Sequence, residues 1–543
     1  VINSLGQGQQ SQEIMAGGRY VSGDQSRRTF AAKSGEMFRI EVDWIGSTRT
    51  IINNATSGRL YEIRQKQSRT ILESKNSESS LFVDSSPQLN HNHISTNRND
   101  FEIQPALPKS LNHTGPFLSA NDIDKDGDID LLVTDKNDPQ LSVLLNDGNG
   151  KFTRSTNSLQ TAGSGIIIYS ENQMQKILHL STPPAIYKVT NGELQLNKQL
   201  NFVGNPSAAA AFDIEGDGDM DLFIGGESSI GQFPRATASA LLINENGKYI
   251  KKLFPEIGIV KNVEAGDIDN DGDVDLVLAR EWNSIAILLN ENGQLKEEGQ
   301  SFGLATFKGL WHDAKLSDID GNGTLDIIAS NIGLNTAYEL HQMPIKLLYG
   351  DTNADDIFEV AEVFFDPLKN NWNPIRKLKV LSSTFPQVRD RYTRNQLFAE
   401  SNATLILGTA ISKMDSVEFN TRESAVFLNS GSKFTFIPLP SEAQLTPAFG
   451  ICAKDFNGDN SIDLFIAQND FSIPPRYSRY DSGRGLLLTG DGKGNFSPLN
   501  SKQSGIMIYG EQRQAVAADF NGDKKLDLVV SQRDAITKLY LQR

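Results

Sequence analysis

Residues 122–130 read DIDKDGDID, five aspartates in nine positions. Two carboxylates about 4 Å apart repel by roughly 4 kcal/mol at an effective dielectric near 20, so a folding chain accepts such a run only if something neutralises it. The pattern returns as DIEGDGDMD from Asp213, DIDNDGDVD from Asp267, DIDGNGTLD from Asp318, DFNGDNSID from Asp455 and DFNGDKKLD from Asp519. Every copy has Ile or Phe at position 2 and an apolar residue at position 8. An apolar run then follows: LLV, LFI, LVL, IIA, LFI or LVV.

Oxygen ligands at alternating positions, with Gly at position 6 for a tight turn, are what a hard cation such as Ca²⁺ requires. Positions 1, 3 and 5 are expected to point inward, position 7 to offer its backbone carbonyl, and position 9 to close the shell. The candidate ligands are Asp122, Asp124, Asp126, Asp128 and Asp130 in the first loop, and Asp213, Glu215, Asp217, Asp219 and Asp221 in the second. Asp267, Asp269, Asp271, Asp273 and Asp275 form the third set; Asp318, Asp320, Asn322, Thr324 and Asp326 the fourth. Asp455, Asn457, Asp459, Ser461 and Asp463 make the fifth, and Asp519, Asn521, Asp523, Lys525 and Asp527 the sixth. A solvated acidic turn would explain one such loop; six in register argue against it. Six Ca²⁺ would move the formal charge from −15 to −3, so metal binding is expected to be linked to folding.

The loops differ in quality. Gly127, Gly218, Gly272 and Gly323 hold position 6 in the first four, Asn460 in the fifth and Lys524 in the sixth. Asn tolerates a left-handed backbone better than Lys, which makes the sixth site the weakest. A looser candidate, DTNADDIFE at 351–359, has Asp356 where Gly is wanted.

First aspartates are spaced by 91, 54, 51, 137 and 64 residues. A unit near 50 fits if residues 163–205 are one unit without a loop and if 340–420 are an insertion. Downstream turns recur as LLNDGNGKF, LLINENGKY, ILLNENGQL, VFLNSGSKF and LLTGDGKGNF. Short β-rich runs repeating every 40–60 residues suggest propeller blades of about four strands. The expected fold is all-β: a seven-bladed β-propeller over 80–543, with blades near 117, 165, 209, 263, 314, 451 and 513, and an eighth if the 137-residue gap hides one. SLFVDSS (80–86) could close the last blade. The insertion at 340–420 reads as helical and mixed polar. Residues 1–66 read as a small β-module with a turn at WIGS, joined by a polar linker at 67–79.

The charge of −15 argues against nucleic acid or an anionic membrane as partner. Cys452 is the only cysteine, so no internal disulfide forms. No apolar run approaches the roughly 20 residues of a membrane helix. The chain opens on Val1 without a visible signal peptide.

The six loops with their strands resemble FG-GAP/VCBS repeats of the integrin-α-like propeller class. RYVSGDQSRRTF and IEVDWIGSTRTIINNATSGRLYEI resemble the C-terminal part of an ASPIC/UnbV domain. That order, with NDFEIQPALPKSLNHTGP, GLWHDAKLSDIDGNGTLDIIASNIGLNT and RYDSGRGLLLTGDGKGNF, is similar to cartilage-acidic-protein-like bacterial proteins. The resemblance implies calcium, a secreted or cell-surface address, and a chain that is the C-terminal half of a longer product.

No motif for an enzyme stands out. HNH at His91–His93 lacks a ββα-metal context, and G-x-S-x-G, P-loop and H-E-x-x-H patterns are absent from the sequence. Trp282 and Trp311 read as packing between blades. Trp372, flanked by Asn371 and Asn373, divides evenly between packing and sugar stacking. The expected function is a calcium-stabilised binding scaffold for a protein or glycan, without catalysis. The alternative is a calcium-dependent polysaccharide lyase or glycosidase, using Arg376, Lys377, Lys379, Arg389, Arg391 and Arg394 as a basic patch for a uronate.

Overall fold

The computed structural model describes residues 80–543 except 97, 157, 191 and 475–476, and, before them, 2–3, 10–12, 14, 27–33, 35–44, 48–65 and 69–70. The chain divides into two compact units, Val1–Glu78 and Ser79–Arg543. In the first, Met37–Trp44 and Thr48–Thr56 pair antiparallel within a four-stranded sheet. The expected WIGS turn falls on residues 45–47, outside the described ones. Within the linker expected at 67–79, Arg69–Thr70 is a strand paired with Thr48 and Arg49. The rest of that segment lies outside the described residues.

The second unit is built from four-stranded antiparallel sheets, one of which gains a short fifth strand, Gly309–Leu310. Seven begin with the strands Phe117–Asn121, Ile166–Glu171, Asn205–Phe212, Ile259–Gly266, Asp313–Ser317, Ala448–Lys454 and Glu511–Ala518; they are sheets 1 to 7 here. Each first strand lies against the first strand of the next sheet, and that of sheet 7 lies against that of sheet 1. The fourth strand of sheet 7 is Phe82–Asp84, which pairs with Lys538–Gln542. The two ends of this unit therefore complete one sheet.

The apolar runs after the acidic loops become the second strands, and adjacent residues on them serve different neighbours. Leu131 and Val133 pack with Val529 and Leu539 of sheet 7, whereas Leu132 packs with Ile177 of sheet 2. Likewise Leu276 and Leu278 face Phe223 and Leu241 of sheet 3, while Val277 and Ala279 face Ile327 and Ala425 of sheet 5. A strand buried on both faces needs an unbroken apolar run rather than alternation.

Sheet 2 has no acidic loop. Glu171 pairs with Met174 across Asn172 and Gln173, both with positive φ (51° and 62°), a two-residue hairpin turn. Sheet 5 is interrupted between its second strand, Asp326–Ser330, and its third, Ala425–Asn429. The intervening chain forms a further four-stranded sheet (Ile345–Gly350, Glu359–Asp366, Asn371–Pro374, Asp415–Phe419) and four short helices between 378 and 407. Leu381, Phe385, Val388, Ile406 and Leu407 bury one helical face against Ala361. The reading of 340–420 as helical thus missed a sheet whose strands flank the helices.

Candidate metal loops

Each acidic loop connects the first and second strands of its sheet, and each has the same hydrogen-bond frame. The position-1 carboxylate accepts the position-6 N–H: Asp122 from Gly127 at 3.1 Å, Asp213 from Gly218 at 2.8 Å, Asp267 from Gly272 at 3.0 Å. Asp318 does so from Gly323 at 3.0 Å, Asp455 from Asn460 at 2.8 Å, and Asp519 from Lys524 at 2.8 Å. The position-5 side chain accepts the position-7 N–H in all six, for example Asp271 from Asp273 at 2.9 Å. Position 7 therefore joins this frame through its backbone N–H. Asp128, Asp219, Asp273, Thr324, Ser461 and Lys525 are placed so, and Thr324 Oγ1 turns to Asn322 and the Asn429 carbonyl.

Position 6 takes positive φ in every loop, at 102°, 88°, 96°, 86°, 65° and 67°. Position 4 does too, a requirement the sequence reading missed: Lys125, Gly216, Asn270, Gly321, Gly458 and Gly522 lie at 64°, 69°, 61°, 72°, 77° and 76°. Gly or Asn at that position in five of six copies was the available signal.

Position 9 is held twice. Asp130, Asp221, Asp275, Asp326, Asp463 and Asp527 each accept the position-2 N–H through Oδ2, at 2.8–3.0 Å. Their Oδ1 atoms accept a backbone N–H from the third strand: Asn146, Asn244, Asn290, Asn429, Gly490 and Gln542, at 2.7–3.0 Å. These aspartates are buried. Burial raises Asp130, Asp275 and Asp527 to about 6, although the two N–H groups oppose it. Asp221, Asp326 and Asp463 are raised for the same reason.

The remaining oxygens converge. Ligand atoms of Asp122, Asp124 and Asp130 lie within 4.8 Å of one another, as do those of Asp267, Asp269 and Asp271, and of Asp318, Asp320 and Asp326. Oδ1 of Asp122, Asp124 and Asp269 is buried without a hydrogen-bond partner. Desolvation, then the neighbouring position-5 carboxylate, raises Asp124 and Asp269. Oxygens that are crowded, desolvated and unpaired fit a divalent cation that takes six to eight oxygen ligands.

In the other three loops position 3 departs from Asp. Glu215 is raised by desolvation and by Asp217, Glu245 and Asp213. Asn457 donates its amide to Asp459 at 2.9 Å, and Asn521 accepts from the Asp523 N–H at 3.1 Å. The loop at 351–359 repeats the frame: Asp351 accepts from Asp356 N at 3.1 Å, and Glu359 from Thr352 N at 2.8 Å.

The Asn of the recurring downstream turn also emerged only from the structure. Its side chain bridges to the preceding sheet: Asn146 donates to the Phe520 carbonyl at 2.9 Å, Asn290 to Ile214 at 2.8 Å, and Asn429 to Ile268 at 2.9 Å. Those carbonyls belong to position 2 of the neighbouring loop. Where sheet 2 lacks the loop, Asn244 donates instead to Glu171 at 2.8 Å.

The basic patch expected in the insertion is corrected at Arg376 alone. Arg376 is buried against Glu362 at 2.6 Å, and Arg391 donates to the Leu405 carbonyl at 2.6 Å. Trp282 and Trp311 are buried beside Phe419 and Phe427, and Lys346 lies over the Trp372 ring at 4.5 Å. His91 and His93 tie their segment to sheet 7 through Thr537 and the Asp534 N–H. Among the described residues no helix is long and apolar enough to cross a membrane.

A search of curated proteins finds no match to the chain. Among solved structures it is similar to BBS1N from a complex with ARL6DN, at 9% identity over 86% of this chain and 98% of that one, with a TM-score of 0.42. It is also similar to the V. cholerae biofilm matrix protein Bap1, at 14% identity over 83% and 90%, with a TM-score of 0.34. Likeness at that level carries no argument for fold or function. The sequence matches the FG-GAP-like repeat family at residues 122–170, 267–329 and 455–530. FG-GAP-like repeats are therefore present in three regions of this all-β chain.

Proposed function

We propose that the protein is a calcium-stabilised, non-catalytic binding scaffold of the cell exterior, recognising a protein or a glycan. In this reading the seven sheets are the blades of a β-propeller, and Ca²⁺ occupies the six loops between their first and second strands. The observation that carries it is the unpaired, buried Oδ1 atoms of Asp122, Asp124 and Asp269 inside carboxylate clusters. Bound Ca²⁺ supplies positive charge that pins each loop; the chain's own N–H groups already set the carboxylates in place. The Asn bridges then carry the rigidity of one loop to the next sheet. The resemblance of residues 1–66 to an ASPIC/UnbV domain and of the whole to cartilage-acidic-protein-like proteins supports an extracellular address.

Calorimetry with Ca²⁺ and with chelator tests the metal half: a fall in melting temperature on chelation is expected, and an unchanged one sinks it. Arrays of glycans and surface proteins probed with the calcium-loaded protein test the binding half.

A further inference from the structure

At the end of the first strands away from the acidic loops lies a pocket of about 180 Å³. It is lined by the starts of first strands, the ends of second strands and the segment after Arg98. Two of its carboxylates, Glu227 and Glu281, are served by three ammonium groups. Lys136 pairs with Glu227 and Lys109 with Glu281, while Lys261 stands 3.7 Å from Glu227. Lys261 has no hydrogen-bond partner among the described residues, and its side chain is 19% exposed. Its ion pair with Glu227 is long, so the Lys261 ammonium keeps N–H donors open to the pocket of a protein of formal charge −15.

The second observation is His312, whose side chain is 3% exposed. Its Nδ1 lies 2.8 Å from the Ala448 carbonyl, which can only accept, so Nδ1 carries the proton and Nε2 is a bare acceptor. Nε2 is buried without a partner and lies 3.8 Å from Glu281 Oε1. Burial holds this imidazole neutral, with its pKa lowered to about 3. Nε2 thus faces, across that gap, a carboxylate oxygen already bonded to Lys109, and both can accept from hydroxyl donors of a ligand. Asn262 Oδ1 and Ser228 Oγ, which also line the pocket, are likewise unpaired.

We propose that this pocket binds a small polyhydroxylated monocarboxylate of the sugar-acid class, with its carboxylate on Lys261 and a vicinal hydroxyl pair on His312 Nε2 and Glu281. The assignment rests on the reading of the protein as a binding scaffold and names one site and one ligand class within it. The ligand is either a free sugar acid or the end of an acidic glycan.

Titration calorimetry of the calcium-loaded protein with sodium D-glucuronate, sodium D-galacturonate, glucose, acetate and an oligogalacturonate tests this. Binding of a uronate, at least tenfold tighter than glucose or acetate, is expected. The Lys261→Met variant should lose at least tenfold in affinity while melting as the parent does, and Lys261→Arg should retain most of the binding. Uronate binding unchanged in Lys261→Met, equal binding of glucose, or no binding of any probe at millimolar concentration overturns the assignment. Tighter binding of the oligomer than of the monomers marks a glycan end; the reverse marks the free acid. Either result supports the site. Calcium-dependent melting of the same sample is scored separately, so a silent pocket in a calcium-stabilised protein overturns only this site.

Discussion

Asn290 in the third strand of sheet 4 donates its side-chain amide to the carbonyl of Ile214, position 2 of the acidic loop in sheet 3, at 2.8 Å. Its own backbone N–H goes to Asp275 of its own sheet. One residue thus fixes the position-9 carboxylate of one loop and the backbone of the next. Asn290→Ala leaves a buried carbonyl unpaired, costing about 1–3 kcal/mol. It should also weaken calcium at the loop of Asp213. Urea denaturation and calcium titration check both; parental stability refutes the linkage.

Asp269 offers an opposite sign with and without metal. Its Oδ1 is unpaired, and its carboxyl is raised by desolvation and then by Asp271. Asp269→Asn should stabilise the chelated protein by relieving repulsion. It should destabilise the calcium-loaded protein, which loses up to about 2.7 kcal/mol if that site was held at 100 times its dissociation constant. Melting curves in chelator and in calcium must move in opposite directions.

The sixth loop carries Lys524 at φ 67°. A left-handed residue with a Cβ costs roughly 1–2 kcal/mol, part of which Gly gives back in unfolded-chain entropy. Lys524→Gly is expected to raise stability by up to about 1 kcal/mol and to tighten calcium binding. Asn460→Gly in the fifth loop should do much less. A stabilisation at 460 as large as at 524 counts against this account.

Buried histidines give one part of the pH dependence. Burial lowers His91 and His179 to about 4 and His312 to about 3, against an unfolded value near 6.5. Below about pH 6.5 the unfolded chain binds protons that the folded chain refuses, so stability falls as pH drops towards about 4 and these groups contribute no slope above 6.5. Each histidine contributes up to about 1.4 kcal/mol per pH unit in that window. In saturating calcium, His179→Gln should show a shallower fall between pH 6.5 and 4.5 than the parent; an equal slope rejects it.

Arg376 and Arg391 should separate sharply. Glu362 is fully buried and meets Arg376 at 2.6 Å, and it also accepts from the Tyr338 hydroxyl. Arg376→Met leaves that carboxylate without its cation, costing about 3–5 kcal/mol. Arg391→Ala loses one exposed bond to the Leu405 carbonyl and should cost less than about 1 kcal/mol. Denaturant midpoints decide it.

The acidic loops were legible because their frame is local. Asp122 is bonded to Gly127 five positions on, and Asp130 to Ile123 seven back, so residue type and spacing specify the turn. The second strands were legible because burial on both faces leaves the unbroken runs LLV and LVL. Position 4 was overlooked because Lys125 takes a left-handed backbone there without being Gly or Asn. Arg376 was wrongly counted in the basic patch because sequence cannot show that it turns inward to Glu362.

By itself the sequence determined where the acidic loops and the strands after them would form, since the frame of each loop depends on contacts within about ten residues. Only the tertiary structure decided that Phe82–Asp84 completes the sheet of Lys538–Gln542, and that Asn146 reaches a carbonyl 374 residues away. It alone gathered Lys261, Glu281 and His312 around one pocket. Such partners meet only after distant sheets pack, and no local spacing encodes which of them will share a wall.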